Sequence, residues 1–257
     1  MNKNIFKISD QISIDEVEKI YEKNFEKIIY EFFNLEHEWM FNAYKEYKDF
    51  DKYLILIYLL HKTLETYNKH FYKVSFEKFY NNPHIEIEKI SIIDLVKSLS
   101  MSKETVRRKL NELSKEGVLT RKLKNIRINK VNSNARLERN VFNLSKLIFL
   151  LTSKLGKEHS LEDFSRLEIE KKIRNNYTQY WSLFFKFQIN YVLRCKNVYS
   201  SIENFYVWGL CAFNEALNSK KLSKSIKDNM FMETLDFHEN VTKLQNSKGL
   251  NPTTISE

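Results

Sequence analysis

The chain has little of what turns and bilayers require. Its 257 residues include four glycines and two prolines, where average usage of about 7% and about 5% would give several times as many. Tight hairpins and β-bulges draw on those residues, so an all-β sandwich or barrel is excluded, as are collagen-like and Gly-rich disordered chains. The two cysteines, Cys195 and Cys211, form no Cys-x-x-Cys pair, and the reading is two reduced core thiols. The longest wholly apolar runs, Tyr53 to Leu60 and Leu147 to Leu151, are too short to cross a bilayer. Met1 to Asp10 has no apolar signal core, so the expectation is a cytoplasmic protein with no membrane partner. Four glycines also leave no room for a phosphate-binding loop, and neither a Gly-x-Ser-x-Gly elbow nor a His-Glu-x-x-His or Glu-x-x-His set occurs. The expectation is no enzyme, no catalytic or metal site and no cofactor.

What is present is aromatic, helical and basic. Hydrophobic residues make up 42% and aromatics 14% of the chain, which argues against disorder and for a packed, mostly helical protein. Val17, Ile20, Tyr21, Phe25, Ile28, Ile29, Phe32, Phe33, Leu35, Trp39 and Met40 recur at helical spacing from Ile14 to Lys48, after a Ser13–Glu16 capping box. Asp49 to Asp51 interrupts this pattern, and Tyr53 to Tyr67 reads as a second helix, apolar on most sides and therefore buried.

Residues 167–217 repeat the first pattern. An ungapped offset of 152 residues pairs Glu16 with Glu168, Asn24 with Asn176, Phe32 with Phe184, Phe33 with Phe185, Trp39 with Tyr191 and Tyr47 with Tyr199. The unbroken register favours an internal duplication, with two helical hairpins docked into a bundle of approximate two-fold symmetry. The expected division is an N-terminal hairpin over 1–80, a different unit over 81–131, a linker and short helix over 132–165, and a C-terminal hairpin over 166–249. Asn129 to Asn143 reads as linker, and Leu144 to Leu155 as a short helix closed by Gly156.

The charge is concentrated. The chain carries 42 basic and 33 acidic residues, a net charge of +9. Residues 101–130 hold ten basic and three acidic residues, +7, leaving +2 for the other 227. In this stretch Ser91 and Asp94 form a capping box before a short helix, Ser100-Met101 makes a tight turn, and Ser102 caps a helix that Gly117 ends. Val106, Leu110 and Leu113 fall on one face of that helix, opposite Glu104, Arg108, Asn111 and Lys115. Val118 to Arg121 and Ile126 to Ile128 read as two strands with a tip at Lys122 to Asn125.

This order, carried by IIDLVKSLSMSKETVRRKLNELSKEGVLTRKLKNIRIN, resembles the winged helix-turn-helix of bacterial transcription regulators over about residues 85–130. The fold class is then mainly α: a helical bundle with an inserted winged helix and a small β-wing. The resemblance implies a sequence-specific regulator of double-stranded DNA. Helix 102–115 would read the major groove through Ser102, Lys103, Thr105, Arg107, Arg108 and Asn111. Wing 118–128 would contact phosphates through Arg121, Lys122, Lys124 and Arg127. The other reading is a helical scaffold whose winged helix docks protein.

Two arrangements on DNA stay open, a homodimer on a palindromic site and an internally pseudo-symmetric monomer. The aromatics Trp39, Tyr44, Tyr47, Trp181, Phe184, Tyr191, Tyr199 and Trp208 read as core packing, with a small-molecule effector pocket in the bundle as the alternative. Leu250 to Glu257 reads like Ile90 to Lys97, so 250–257 is expected to open a second helix-turn-helix, truncated or lost.

Overall fold

The structure, a computed structural model, describes residues 13–81, 84–87, 90–122, 125–129, 134–159 and 164–212. Its elements are α1 (Ile14–Lys23), α2 (Phe25–Tyr47), α3 (Phe50–Lys69), α4 (Phe76–Asn81), β1 (His84–Glu86), α5 (Ile92–Leu99), α6 (Lys103–Lys115), β2 (Leu119–Lys122), β3 (Asn125–Asn129), α7 (Asn134–His159), α8 (Arg166–Asn175) and α9 (Tyr177–Tyr199). A last helical run, α10, covers 202–212. The fold is mainly α with one small antiparallel sheet, in strand order β1-β3-β2.

Residues 14–48, expected as one helix, divide at Asn24 into α1 and α2. The Asn24 side chain donates to the Ile20 carbonyl at 2.9 Å, a local bond that competes with continuation of the helix. α2 ends on Lys48 in the left-handed conformation, φ 51, and Asp49 caps α3 by accepting from the Lys52 amide at 3.0 Å. Leu54 to Leu59 of α3 are buried without interruption, so α3 is the central helix. Its most extensive packing is against α9.

The second set of helices has the same boundaries displaced by 152 residues. α8 is ten residues long like α1, with a Ser165–Glu168 capping box matching Ser13–Glu16. α9 is 23 residues long like α2; both start after an Asn with no side-chain cap and end on a left-handed residue, Lys48 and Ser200. Ring contacts follow the same offset. Trp39 and Tyr53 meet with centroids 5.4 Å apart, Tyr191 and Phe205 at 5.5 Å. Tyr47 and Tyr53 lie 6.0 Å apart, Tyr199 and Phe205 5.6 Å.

Residues 132–165 depart from expectation. From Asn134 the chain runs as one helix, α7, of 26 residues, so most of the expected linker is helical and Gly156 lies inside the helix rather than ending it. Of the polar residues that suggested a loop, Arg139 and Asn143 find partners on α2, whereas the buried Asn140 side-chain oxygen has none among the described residues. Arg139 pairs with Glu38 at 2.6 Å, Lys146 with Glu31 at 2.8 Å, and the Asn143 amide donates to Glu38. Hydrogen bonding of that kind allows polar side chains to be buried in a helix interface. Cys195 is half-buried but Cys211 is exposed, both as free thiols, so the core-thiol reading fails for Cys211. His61 is buried on α3 with its Nδ1 3.0 Å from the Ser182 carbonyl oxygen. Residues 213–249 of the expected C-terminal hairpin, and 250–257, lie outside the described residues.

Candidate nucleic-acid interface

The interface is built on α5, α6 and the wing. Ser91 accepts from the Asp94 amide at 3.1 Å while Asp94 accepts from the Ser91 amide at 2.9 Å, the reciprocal capping box that starts α5. Ser100 takes the left-handed conformation, φ 49, and turns the chain into Met101, which is buried. Ser102 accepts from the Thr105 amide at 3.0 Å and caps α6. Gly117 follows α6 at φ 73, a conformation glycine adopts at no Cβ penalty. Its carbonyl accepts from the Asn129 side chain at 2.6 Å, fastening the end of α6 to β3.

Val106, Leu110 and Leu113 bury the inner side of α6 with Leu95, Leu99, Leu119 and Ile128, in one core continuous with α3. The outer side stays in solvent: Lys103, Arg107, Arg108, Asn111 and Lys115 are exposed. Among the described residues Arg108 approaches Glu112, at 3.9 Å across one helical turn, a surface pair of small energetic weight. Arg121 on β2 donates to the Asn111 carbonyl oxygen at 3.3 Å, joining wing and helix into one basic surface.

The structure divides the sequence-expected residues unequally. Lys103, Arg107, Arg108, Asn111 and Arg121 share this outward surface. The Ser102 hydroxyl serves the cap and donates to the Thr105 hydroxyl at 2.9 Å, so both are occupied locally. Arg127 is exposed but paired with Glu86 of β1, a strand that three residues of sequence did not announce. The side chain of Lys122 and all of Lys124 lie outside the described residues.

The reverse side of α6 carries ion pairs that sequence reading missed. Lys109 binds Asp49, the cap of α3, and Glu112 at 3.3 Å. Lys52 of α3 reaches Glu116 at 2.5 Å and Glu112 at 3.3 Å. Hydrogen bonding to Glu116 raises the Lys52 ammonium above its ordinary pKa. Burial opposes charge on Lys109, but Asp49 and Glu112 together outweigh it and its pKa is also raised. Burial likewise opposes charge on Glu112, and Lys109 and Lys52 together hold its carboxyl below the usual range. These pairs clamp α6 to the bundle. They also remove Lys109 from the outward set, a split legible only once Asp49 is known to face it.

A helix of this kind, apolar within and basic without, is what a major groove about 12 Å wide admits. A model of the DeoR-like helix-turn-helix domain matches residues 86–130, the span of β1 through the wing and less than a fifth of the chain. The segment is a winged helix-turn-helix, and the match supports DNA binding in transcription regulation, the role of a regulator domain rather than of a catalytic one. No curated protein and no solved structure matches the chain. Among the described residues no helix is long and apolar enough to cross a membrane.

Proposed function

We propose that the protein is a sequence-specific transcription regulator that reads the major groove with helix 102–115 and contacts phosphates with wing 118–128. The observation that carries this is the division of α6: its apolar side is sealed in the core while Lys103, Arg107 and Arg108 at its N-terminal end are exposed. Base edges are reached from that end of a recognition helix, and Arg can make a bidentate contact to guanine. Arg121 and Lys124 supply the positioning charge of the wing.

The matched boundaries of α1–α2 and α8–α9 support a duplicated hairpin. The packing of α3 on α9, with Phe33 of α2 meeting Trp208 of α10 at 6.3 Å, supports the arrangement in which the two halves satisfy each other within one chain.

Salt and two substitutions test the proposal. Neutralising several phosphates makes affinity fall steeply between about 50 and 200 mM salt. Arg108→Ala weakens specific binding by about 1–3 kcal/mol, whereas Lys124→Ala weakens all sequences alike. Unchanged affinity of both variants in a gel-shift titration eliminates the reading.

A further inference from the structure

The chain leaves α3 through a Schellman turn. The Phe71 amide donates to the Asn68 carbonyl at 3.1 Å and the Tyr72 amide to the Tyr67 carbonyl at 2.8 Å. This pair of bonds closes a helix when the residue just past the cap is left-handed. Phe71 is that residue, at φ 58. Glycine or asparagine is the usual choice there, because a Cβ in this conformation crowds the backbone. After α6 the same pair of bonds surrounds Gly117. The other non-glycine residues with positive φ among the described residues are Lys48, Ser100 and Ser200, so Phe71 is the aromatic exception. Burial returns nothing for the strain: Phe71 is 88% exposed and Tyr72 60%. Lys69, His70 and Lys73 are exposed as well, and neither lysine forms a salt bridge among the described residues. A strained backbone that holds an unburied ring between unpaired cations points to a binding partner.

This loop stands beside the helix-turn-helix. α3 runs along α5, with the Tyr58 and Ser98 hydroxyl oxygens 2.8 Å apart. Further along α3, Lys62 faces the start of α5: Ser91 holds the Asp94 carboxyl below its usual range, and Lys97 and Lys62 add to this. At the last turn, burial raises the Tyr67 phenol, and Tyr72 and Glu86 of β1 raise it further. The Tyr67 and Tyr72 rings meet edge to face with centroids 5.3 Å apart. The end of α3 therefore emerges near both the start of α5 and the outer strand of the wing sheet. In a helix-turn-helix the helix before the recognition helix crosses the DNA backbone, which puts residues 69–73 at the flank of a duplex held by α6.

We infer that residues 69–73 form a second DNA contact, outside the recognition helix and the wing, in which Phe71 enters the minor groove as an apolar wedge while Lys69 and Lys73 hold flanking phosphates. Phenylalanine is one of the side chains that enter between base steps from the minor groove, and lysines beside it neutralise the backbone they approach. The left-handed turn explains how the ring stays available, because it carries the side chain away from the packed face of α3 instead of returning it to the core. A lipid surface would also accept exposed aromatics among lysines, but the place of the loop beside α5 and the wing favours duplex DNA. The inference rests on the DNA-binding reading of α6.

The test is titration of the full chain into a fluorescently labelled pool of random-sequence duplexes of about 40 base pairs, at several salt concentrations, with a thermal melt of each variant. Phe71→Gly relieves the backbone strain, so its melting temperature equals or exceeds that of the unaltered protein. Its affinity for DNA nevertheless falls by about fivefold or more, with the same salt slope because no charge is lost. Phe71→Trp, which keeps a ring, retains most of the affinity. Lys69→Ser/Lys73→Ser makes the plot of log affinity against log salt less steep by about two. Absence of salt-sensitive DNA binding by the unaltered protein removes the reading of α6 and this contact together. Binding by the unaltered protein that Phe71→Gly leaves unchanged removes this contact alone. A melting temperature of Phe71→Gly that falls along with its affinity assigns Phe71 a structural role and also overturns the inference. So does binding to phosphatidylglycerol vesicles that depends on Phe71 while DNA binding does not.

Discussion

The N-terminal helices α1–α3 and the C-terminal helices α8–α10 follow the same plan with different contents. Their caps and lengths coincide, yet their apolar stripes meet different surroundings. Ile169, Ile173 and Tyr177 are buried, α8 packing against α7 and α4. Val17 and Phe25, at the matching positions of α1 and α2, are 38% and 47% exposed. Local signals therefore set where each helix starts and stops, and the covering element decides how much each apolar side chain stabilises the fold. The interior polar positions differ in the same way: Glu36 and Gln188 occupy equivalent turns, and both lack partners among the described residues.

The comparison is broken most forcefully at Trp181, which is 1% exposed and stacks on Tyr177 with centroids 4.9 Å apart. Trp181→Ala should cost about 3–5 kcal/mol. The matching residue is the half-buried Ile29, and Ile29→Ala should cost clearly less by urea denaturation. Equal losses would mean that the halves are energetically as well as geometrically alike.

The exchange of Glu36 and Gln188 gives the next effect. With a folded pKa raised from 4.5 to about 8, Glu36 binds more protons in the folded than in the unfolded chain between those values. Stability is therefore full below the unfolded pKa and is lost as pH rises through the folded one. Glu36→Gln should flatten the pH dependence between pH 5 and 8 and add about 2–5 kcal/mol at the alkaline end. Gln188→Glu should introduce the same slope in the other half. Thermal melts across that window check both, and an unchanged slope in Glu36→Gln would mean that the carboxyl is solvated.

The smallest effect tests likeness rather than difference. Ser13→Ala and Ser165→Ala each remove the cap of a ten-residue helix, at a cost of about 0.5–2 kcal/mol. The larger loss should fall on Ser165, because α8 is packed on its apolar side while the corresponding side of α1 is partly open. A larger loss at Ser13 would contradict the burial difference.

Caps and periodicity made much of the fold legible beforehand. Ser91 with Asp94, Ser102, Gly117 and the Val106–Leu110–Leu113 stripe are local in sequence, and their physics needs no partner. The same holds for the register between the two halves, which depends on spacing alone. What sequence did not reveal depends on remote contacts. The first part of α7 looks like a linker because Asn140 and Asn143 are polar, and the Glu38 carboxylate across the interface, partner of Arg139 and Asn143, supports a helix there. Strand β1 is too short to show alternation, so the Glu86 partner of Arg127 was invisible. Within the interface, Arg107 and Arg108 were readable as outward from helical spacing. Lys109 was not separable from them until Asp49 and Glu112 placed it on the inner flank.

The central claim is that the exposed basic side of α6 recognises duplex DNA. Selection of bound sequences from random duplexes addresses it most directly, comparing the unaltered protein with Arg107→Ala/Arg108→Ala. The account predicts one enriched motif with a few strongly fixed base pairs, whose fixation collapses in the double variant while residual salt-sensitive binding persists. No enrichment with the unaltered protein, or the same motif from the double variant, would contradict it.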